Sequence, residues 1–164
     1  TAAIVCFTGV PYRGGAEQKI RQYLIGNNCV DCVIQLPSNL FFGTSSATCI
    51  MVLKKSKREN KTLFIDASRE FVKVTNSNKL TEENIARIVA AFTARADEDY
   101  FARLVDNGEI AEQGYNLSVS TYVAQEDTRE TVDIQALNAE IERIVAREDQ
   151  LRTEIAEIIA EIEG

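Results

Sequence analysis

Eight apolar residues, Ile134, Leu137, Ile141, Ile144, Leu151, Ile155, Ile158 and Ile162, follow one another in alternating steps of three and four, interrupted only by Glu148. This is a heptad seam of a and d positions held for about four heptads with no Gly or Pro inside it. It predicts one helix from Asp133 to Glu163. A helix of about 30 residues is on the order of 45 Å long, more than a domain of this size needs to cover its own core. Each Leu or Ile that leaves water contributes about 1.5 to 3 kcal/mol, so the seam calls for a covering surface. Glu148 sits at an a position, where a lone buried carboxylate is costly, and is expected to meet a basic or hydrogen-bonding group. Glu140, Glu154 and Glu161 flank the seam against Arg147 and Arg152. A parallel self-dimer would bring like charges together, so the expected partner is a different, more basic helix. Antiparallel self-pairing and a fold-back onto the chain's own domain remain open.

The rest of the chain reads as α/β. Residues 2 to 7 form an apolar run expected to be a strand buried on both faces, as at the centre of a parallel sheet. Such a strand needs neighbours, which predicts that the chain is a fragment of a longer protein. A turn-rich loop from Thr8 to Gly15 follows, then a helix with Ala16, Ile20, Tyr23 and Leu24 on one face, then a second strand from Val30 to Leu36. Strand, helix and strand in this span predict a right-handed parallel βαβ unit. The runs Ala47 to Leu53 and Thr62 to Asp66, separated by a basic turn from Lys54 to Lys61, predict a hairpin. Thr81 or a neighbour caps a helix reaching about Ala96, with acidic residues in its first turn and Ile85, Ile88, Val89 and Phe92 on one face. Residues 100 to 123 are expected to be irregular and to lie on the domain's edge. The resulting division is an α/β part, residues 1 to 125, and a linker and helix, residues 126 to 164.

Charge narrows the function classes. The 164 residues carry 18 Lys+Arg, 25 Asp+Glu and no His, a net charge of -7. Histidine-based triads, Cys-His dyads and His-ligated zinc are excluded for this chain alone. The first 60 residues hold seven basic and three acidic groups, whereas residues 126 to 164 hold four and twelve. The first segment can approach phosphate and the tail cannot. No apolar run approaches the roughly 20 residues that span a bilayer, which predicts a soluble chain with no membrane partner, and the cysteine usage adds the expectation that it is cytoplasmic. The four cysteines, three of them in or beside apolar runs, are expected to be reduced.

Three short patterns carry chemistry in other contexts. Cys29-Val30-Asp31-Cys32 has the C-x-x-C spacing of redox and metal sites, but it precedes a strand rather than opening a helix, and no second pair completes a zinc site. It reads as two packed cysteines, with a thioredoxin-like oxidoreductase as the rival. Gly9-Val10-Pro11-Tyr12-Arg13-Gly14-Gly15 is a tight strand-to-helix turn or a phosphate cradle, and it matches neither G-x-G-x-x-G nor a P-loop. In Leu36-Pro37-Ser38-Asn39-Leu40-Phe41-Phe42-Gly43-Thr44, two adjacent Phe cannot both turn inward from a loop at a strand's C-terminal end. That edge is where open α/β sheets bind ligands, and an aromatic there can stack on a flat ring or lid the core.

Taken in order, several segments together resemble a known family. They are Ala2-Ala3-Ile4-Val5 with Gly9-Val10 and Arg13-Gly14-Gly15-Ala16-Glu17, Lys19-Ile20-Arg21, Val33-Ile34-Gln35-Leu36-Pro37 with Leu40 to Thr44, Thr48-Cys49-Ile50, Leu63 to Ser68, and Tyr115-Asn116-Leu117-Ser118 before Tyr122-Val123. The chain resembles the methylation subunit of type I restriction-modification systems, which are N6-adenine DNA methyltransferases. The resemblance covers most of residues 1 to 125 and departs from the family pattern at Pro11, where a Leu is usual.

The resemblance implies the last strands of a class I methyltransferase-like (Rossmann-like) sheet, starting about at the fifth, followed by a long coiled-coil-type helix. The family's glycine-rich loop for S-adenosylmethionine and its Asn-Pro-Pro-Phe/Tyr motif do not occur here. The implied role is therefore that of a C-terminal fragment with no catalytic residue, bound cofactor or metal of its own. Its parent would transfer a methyl group to adenine N6. Phe41 and Phe42 fall where related enzymes place an aromatic against the extruded base, with Gly43 and Thr44 shaping the loop. Arg13 is a candidate contact to the DNA backbone. The implied partners are the DNA-specificity subunit, whose helices would meet the tail helix, the restriction subunit, and DNA. A non-enzymatic module that dimerises through its heptad helix is the alternative.

Overall fold

The computed structural model describes residues 1–125 and 134–163. Two compact units result, Thr1–Glu126 and Asp127–Gly164. In the first, a five-stranded mixed sheet contains β1 (Ala2–Phe7), β2 (Val30–Gln35), β3 (Thr48–Leu53), β4 (Lys61–Asp66) and β5 (Ala102–Asp106), in the order β1-β3-β2-β4-β5. A separate ribbon of two three-residue strands, βa (Val72–Val74) and βb (Ser77–Lys79), lies between β4 and the second helix in sequence. The helices are α1 (Ala16–Gly26), α2 (Glu82–Ala94), α3 (Asn107–Glu112) and α4 (Val119–Tyr122), with α5 (Ile134–Glu163) forming the second unit.

Side-chain alternation along the central strands sorts the core into two layers. Val33, Cys49, Met51 and Phe64 face one side, where they meet Ile25, Ile110, Leu117, Val119 and Tyr122. Cys32, Ile34, Val52, Leu63 and Ile65 face the other, against Ile88, Ala91 and Phe101. Helix α2 begins where the sequence places it. Thr81 and Asn84 form a reciprocal capping box, with Glu82 and Glu83 in the first turn, where acidic groups favour the positive end of the helix.

Three expectations change. β1 and β2 do run parallel, but β3 lies between them and is antiparallel to both. The loop after β2 sends the chain straight back as β3, ahead of any direct β1–β2 pairing. β3 and β4 do not form a hairpin, because β2 separates them and pairs in parallel with β4. The basic turn is long enough to step across that strand, and Lys57 Nζ donates to the Val30 and Lys61 carbonyls as it passes. Residues 100 to 123 are not irregular. They supply β5, α3 and α4, and bury Ile110, Leu117, Val119 and Tyr122 in the core. Their elements are only four to six residues long, too short for a periodic signal.

β1 also departs from a strand buried on both faces. Its pairing is with β3 alone, and Ile4, Val5 and Phe7 are 46%, 55% and 60% exposed. Among the described residues no layer covers these faces, so the apolar composition of the strand is not matched by burial. No helix among the described residues is long and apolar enough to cross a membrane.

Candidate functional site

β1, β2 and β4 all run in one direction, so the loops that follow them gather at one edge of the sheet. That edge collects the Thr8–Gly15 loop, the aromatic loop and the βa–βb ribbon. It is the position where open α/β sheets hold ligands.

The aromatic loop is built to keep a ring in solvent. Leu36 and Pro37 are buried, and Leu36 N–H donates to the Thr48 carbonyl at 2.9 Å, which closes the base of the loop. At its tip, Thr44 N–H donates to the Phe41 carbonyl, and Gly43 adopts a φ of 80°, a conformation that favours glycine. Thr44 Oγ1 accepts from Ser46 N–H at 3.1 Å. Phe42 sits on this turn fully exposed, whereas Phe41 is 42% exposed. Together Phe41, Phe42, Gly43 and Thr44 line a cleft of about 480 Å³ whose opposite wall is the ribbon's Val74 to Ser77.

The ribbon is the part of this site that the sequence reading passed over. The alternation Val72-Lys73-Val74 followed by the turn-forming run Thr75-Asn76-Ser77-Asn78 was the available signal. Asn78 ties the ribbon to the aromatic loop, its backbone N–H donating to the Asn39 carbonyl at 2.9 Å and its Nδ2 to the Ser38 carbonyl at 2.8 Å. Thr75 at the tip has a φ of 52°, uncommon for a β-branched residue.

A second, smaller hollow of about 230 Å³ lies beyond the end of β4, where Asp66, Arg69, Arg87 and Tyr100 converge. Arg87 is committed there: it lies 4.1 Å over the Phe101 ring and pairs with Glu70 at 2.6 Å and Glu98 at 3.2 Å.

Arg13 lies exposed on the loop after β1. Its guanidinium folds back over Gly9, so a β-carbon at that glycine would stand 2.8 Å from Arg13 Nε. Gly9's carbonyl accepts from the backbone N–H groups of Tyr12 and Arg13. The loop is thereby closed on itself. Arg21, nearly fully buried, fastens it from beneath by donating from Nη1 to the Val10 carbonyl and from Nε to the Tyr115 carbonyl, both at 2.8 Å.

The cysteines stand apart from this edge. All four are free thiols. Cys32 is buried in the sheet, and desolvation pushes its thiol far above the ordinary range, the opposite of what a redox nucleophile needs. Among the described residues no group of three or more His, Cys, Asp or Glu could hold a metal. The basic turn lies at the far edge, where Asp31 pairs with Arg95 at 3.1 Å beside Lys54, Lys57 and Arg58.

In α5 the described seam residues Ile141, Ile144, Leu151, Ile155 and Ile158 are 41–60% exposed, with Val145 and Ile159 widening the stripe. The side chains of Ile134, Leu137 and Ile162 lie outside the described residues. Glu148 accepts from Arg152 Nη2 at 2.7 Å, one turn further along the same helix.

Comparison with known proteins gives this geometry a context. Residues 1–131 match the family model described as N-6 DNA Methylase. The chain is 48% identical, over 99% of its length, to the type I restriction enzyme MpnII methylase subunit of Mycoplasma pneumoniae, and 36% identical over 98% to the MjaVII methylase subunit of Methanocaldococcus jannaschii. It spans 30% and 28% of those two proteins. The crystal structure of a type I restriction-modification methyltransferase subunit from Streptococcus thermophilus superposes with a TM-score of 0.74 at 44% identity, over 76% of this chain and 26% of that one.

Proposed function

The chain belongs to the N-6 DNA methylase family, and on that premise we propose that it is the C-terminal part of a type I restriction-modification methylation subunit. In this reading residues 1–125 contribute a wall of the target-base pocket, and residues 126–164 contribute a linker and the helix for subunit association. The full-length subunit transfers a methyl group from S-adenosylmethionine to adenine N6 in DNA, in the cytoplasm.

The observation that carries this reading is the fully exposed Phe42 ring, held over a cleft at the carboxyl edge of the sheet. An aromatic side chain left in water by its own loop is explained when a flat partner stacks on it. An adenine drawn out of a duplex is such a partner, since stacking offsets part of the cost of extrusion. Phe41 and Phe42 are the stacking candidates, and Gly43 and Thr44 set the turn. Arg13, exposed on the neighbouring loop of the same edge, is the candidate contact to the DNA backbone.

The Gly9–Gly15 loop does not fit S-adenosylmethionine. The glycine loop after β1 is closed by its own backbone and overlaid by the Arg13 guanidinium, leaving no cradle for a nucleoside. No step of the transfer is assigned to these residues, and the donor's site belongs to the remainder of the subunit. Stoichiometric binding of S-adenosylmethionine to this chain in calorimetric titration would contradict the assignment.

The α5 seam supports an association role. Its exposed Ile and Leu residues, flanked by acidic groups, suit a more basic helix of the DNA-specificity subunit; the restriction subunit and DNA complete the assembly. The same seam also favours a second reading, a module that self-associates through α5. Sedimentation of the chain alone and mixed with the specificity subunit separates the two: a stable homodimer that ignores the added subunit supports the second.

The direct test of the principal reading places 2-aminopurine at the methylated position of a duplex bound by the assembled methylase. Phe42→Ala or Phe41→Ala should alter its fluorescence and weaken target binding. Unchanged fluorescence and affinity in both variants would remove the pocket assignment.

A further inference from the structure

We propose that the βa–βb ribbon enters a groove of the DNA tip first, beside the aromatic cleft, with Lys73 and Lys79 contacting the phosphates on its two sides. The proposal rests on the DNA reading of the preceding subsection and assigns a role to residues outside the base pocket.

Size is the first argument. Three residues per strand at about 3.4 Å each give a projection on the order of 10 Å, and two strands about 4.8 Å apart make a narrow blade. A B-form major groove is about 12 Å wide and about 8.5 Å deep and accepts a two-stranded ribbon. The blade is available to enter it, because every residue from Val72 to Lys79 except Asn78 is exposed. Asn78 is turned to another task, anchoring the ribbon to Ser38 and Asn39 at the base of the aromatic loop. The ribbon is thus carried by the loop that holds Phe42 and takes a defined place next to it.

Charge is the second argument. The register pairs Lys73 with Asn78 and Val72 with Lys79. Cross-strand partners share a face and successive residues alternate, so the two lysines stand on opposite faces of the blade. No Asp or Glu occurs from Phe71 to Lys79. Opposite-face cations on an acid-free ribbon match a groove, which presents a sugar-phosphate wall on either side. They match a flat anionic surface poorly, since only one lysine would reach it.

The tip supplies the third. Thr75 holds a φ of 52° with its side chain exposed, and Asn76 follows it into the same cleft as Phe42. Uncommon backbone conformations persist where function needs a particular presentation. Here the turn brings a hydroxyl and a carboxamide, both able to donate and accept, to the cleft that Phe42 also lines, within reach of base edges in an entered groove.

The test uses the full-length methylase assembled with its partner subunits. Binding of a fluorescent duplex carrying the methylation site is measured across a series of salt concentrations for the parent, Lys73→Gln/Lys79→Gln and Lys73→Arg/Lys79→Arg. Each phosphate contact contributes about 0.9 to the slope of log K against log salt. The Gln pair should lower that slope by about two and weaken binding at low salt alike for cognate and unrelated duplexes, and the Arg pair should restore both. Unchanged slope and affinity in a Gln pair that melts like the parent overturn the proposal, as does a loss that Arg fails to restore. Phe42→Ala and Phe41→Ala with 2-aminopurine in the duplex are read in parallel. An effect of the Gln pair without one of either Phe42→Ala or Phe41→Ala upholds the ribbon and removes the base pocket, and the converse removes the ribbon alone.

Discussion

Tyr122 stacks on Phe64, ring centroids 4.3 Å apart and planes inclined by 30°, so that the last helix of the α/β unit is seated on the centre of its sheet. The Tyr122 hydroxyl donates to the Asn116 carbonyl at 2.6 Å, which closes the segment leading into that helix. Both residues are at least 96% buried. Tyr122→Phe should keep the stack and cost about 1 kcal/mol for the lost hydrogen bond, whereas Tyr122→Ala should cost about 3 to 5 kcal/mol through the cavity. Urea unfolding measures both. Equal costs for the two would mean that the ring contributes nothing beyond its hydroxyl.

Stability should fall in alkali. Burial pushes the Cys49 thiol up from 9.0 to about 11 and the Tyr122 phenol up from 10.0 to about 12. Both groups are held in their protonated forms by the fold, so the unfolded chain releases protons first as pH rises. Their stabilisation is complete below about pH 9 and is lost from there through about pH 12. Urea midpoints followed against pH should decline in that window, and Tyr122→Phe should flatten the upper part of the decline. A flat profile to pH 12 would contradict the assignment.

Arg21 is the buried fastener of the loop edge, with desolvation lowering its pKa and two carbonyls accepting from it. Arg21→Met keeps much of the apolar stem but leaves the Val10 and Tyr115 carbonyls without this donor. It should cost about 2 to 3 kcal/mol and speed hydrogen exchange in residues 8 to 15. Arg21→Lys should recover only part of the loss, because a single ammonium lacks the guanidinium's spread of donors. Full rescue by Lys would show that charge alone matters.

Phe42 and Phe64 offer a contrast of the same residue type. Phe42→Ala should change folding stability by no more than about 0.5 kcal/mol and weaken target binding in the assembled enzyme by roughly 1 to 3 kcal/mol. Phe64→Ala should destabilise by about 3 to 5 kcal/mol. If Phe42→Ala unfolds the chain, the ring belongs to the core and the site assignment is mistaken.

Removing residues 133–164 should leave the α/β unit folded, with an unfolding transition close to that of the whole chain, since the two units are separately compact. The same deletion should abolish association with the specificity subunit, read by co-sedimentation. Retained association would assign the interface elsewhere.

The sequence by itself determined the strongly periodic and locally encoded parts. The α5 heptads, the Thr81 cap of α2 and the apolar runs of β2, β3 and β4 all express short-range geometry that a residue's neighbours dictate. It also marked Phe41 and Phe42, because two adjacent aromatics in a polar turn conflict with simple burial. Tertiary structure alone decided the strand order. Whether β3 pairs back onto β2 or forward onto β4 depends on which faces find cover and on how far Lys54–Lys61 reaches, and neither is written in the period of an individual strand. It likewise decided the fate of the weakly patterned segments. Residues 102–122 became core because Phe64 and Arg21 offered Tyr122 and Tyr115 partners more than 50 residues away in the chain, and the ribbon at 72–79 became a wall of the cleft because Asn78 found two carbonyls on a distant loop. Contacts of that range are set by the assembled surface, which no local run of residues specifies.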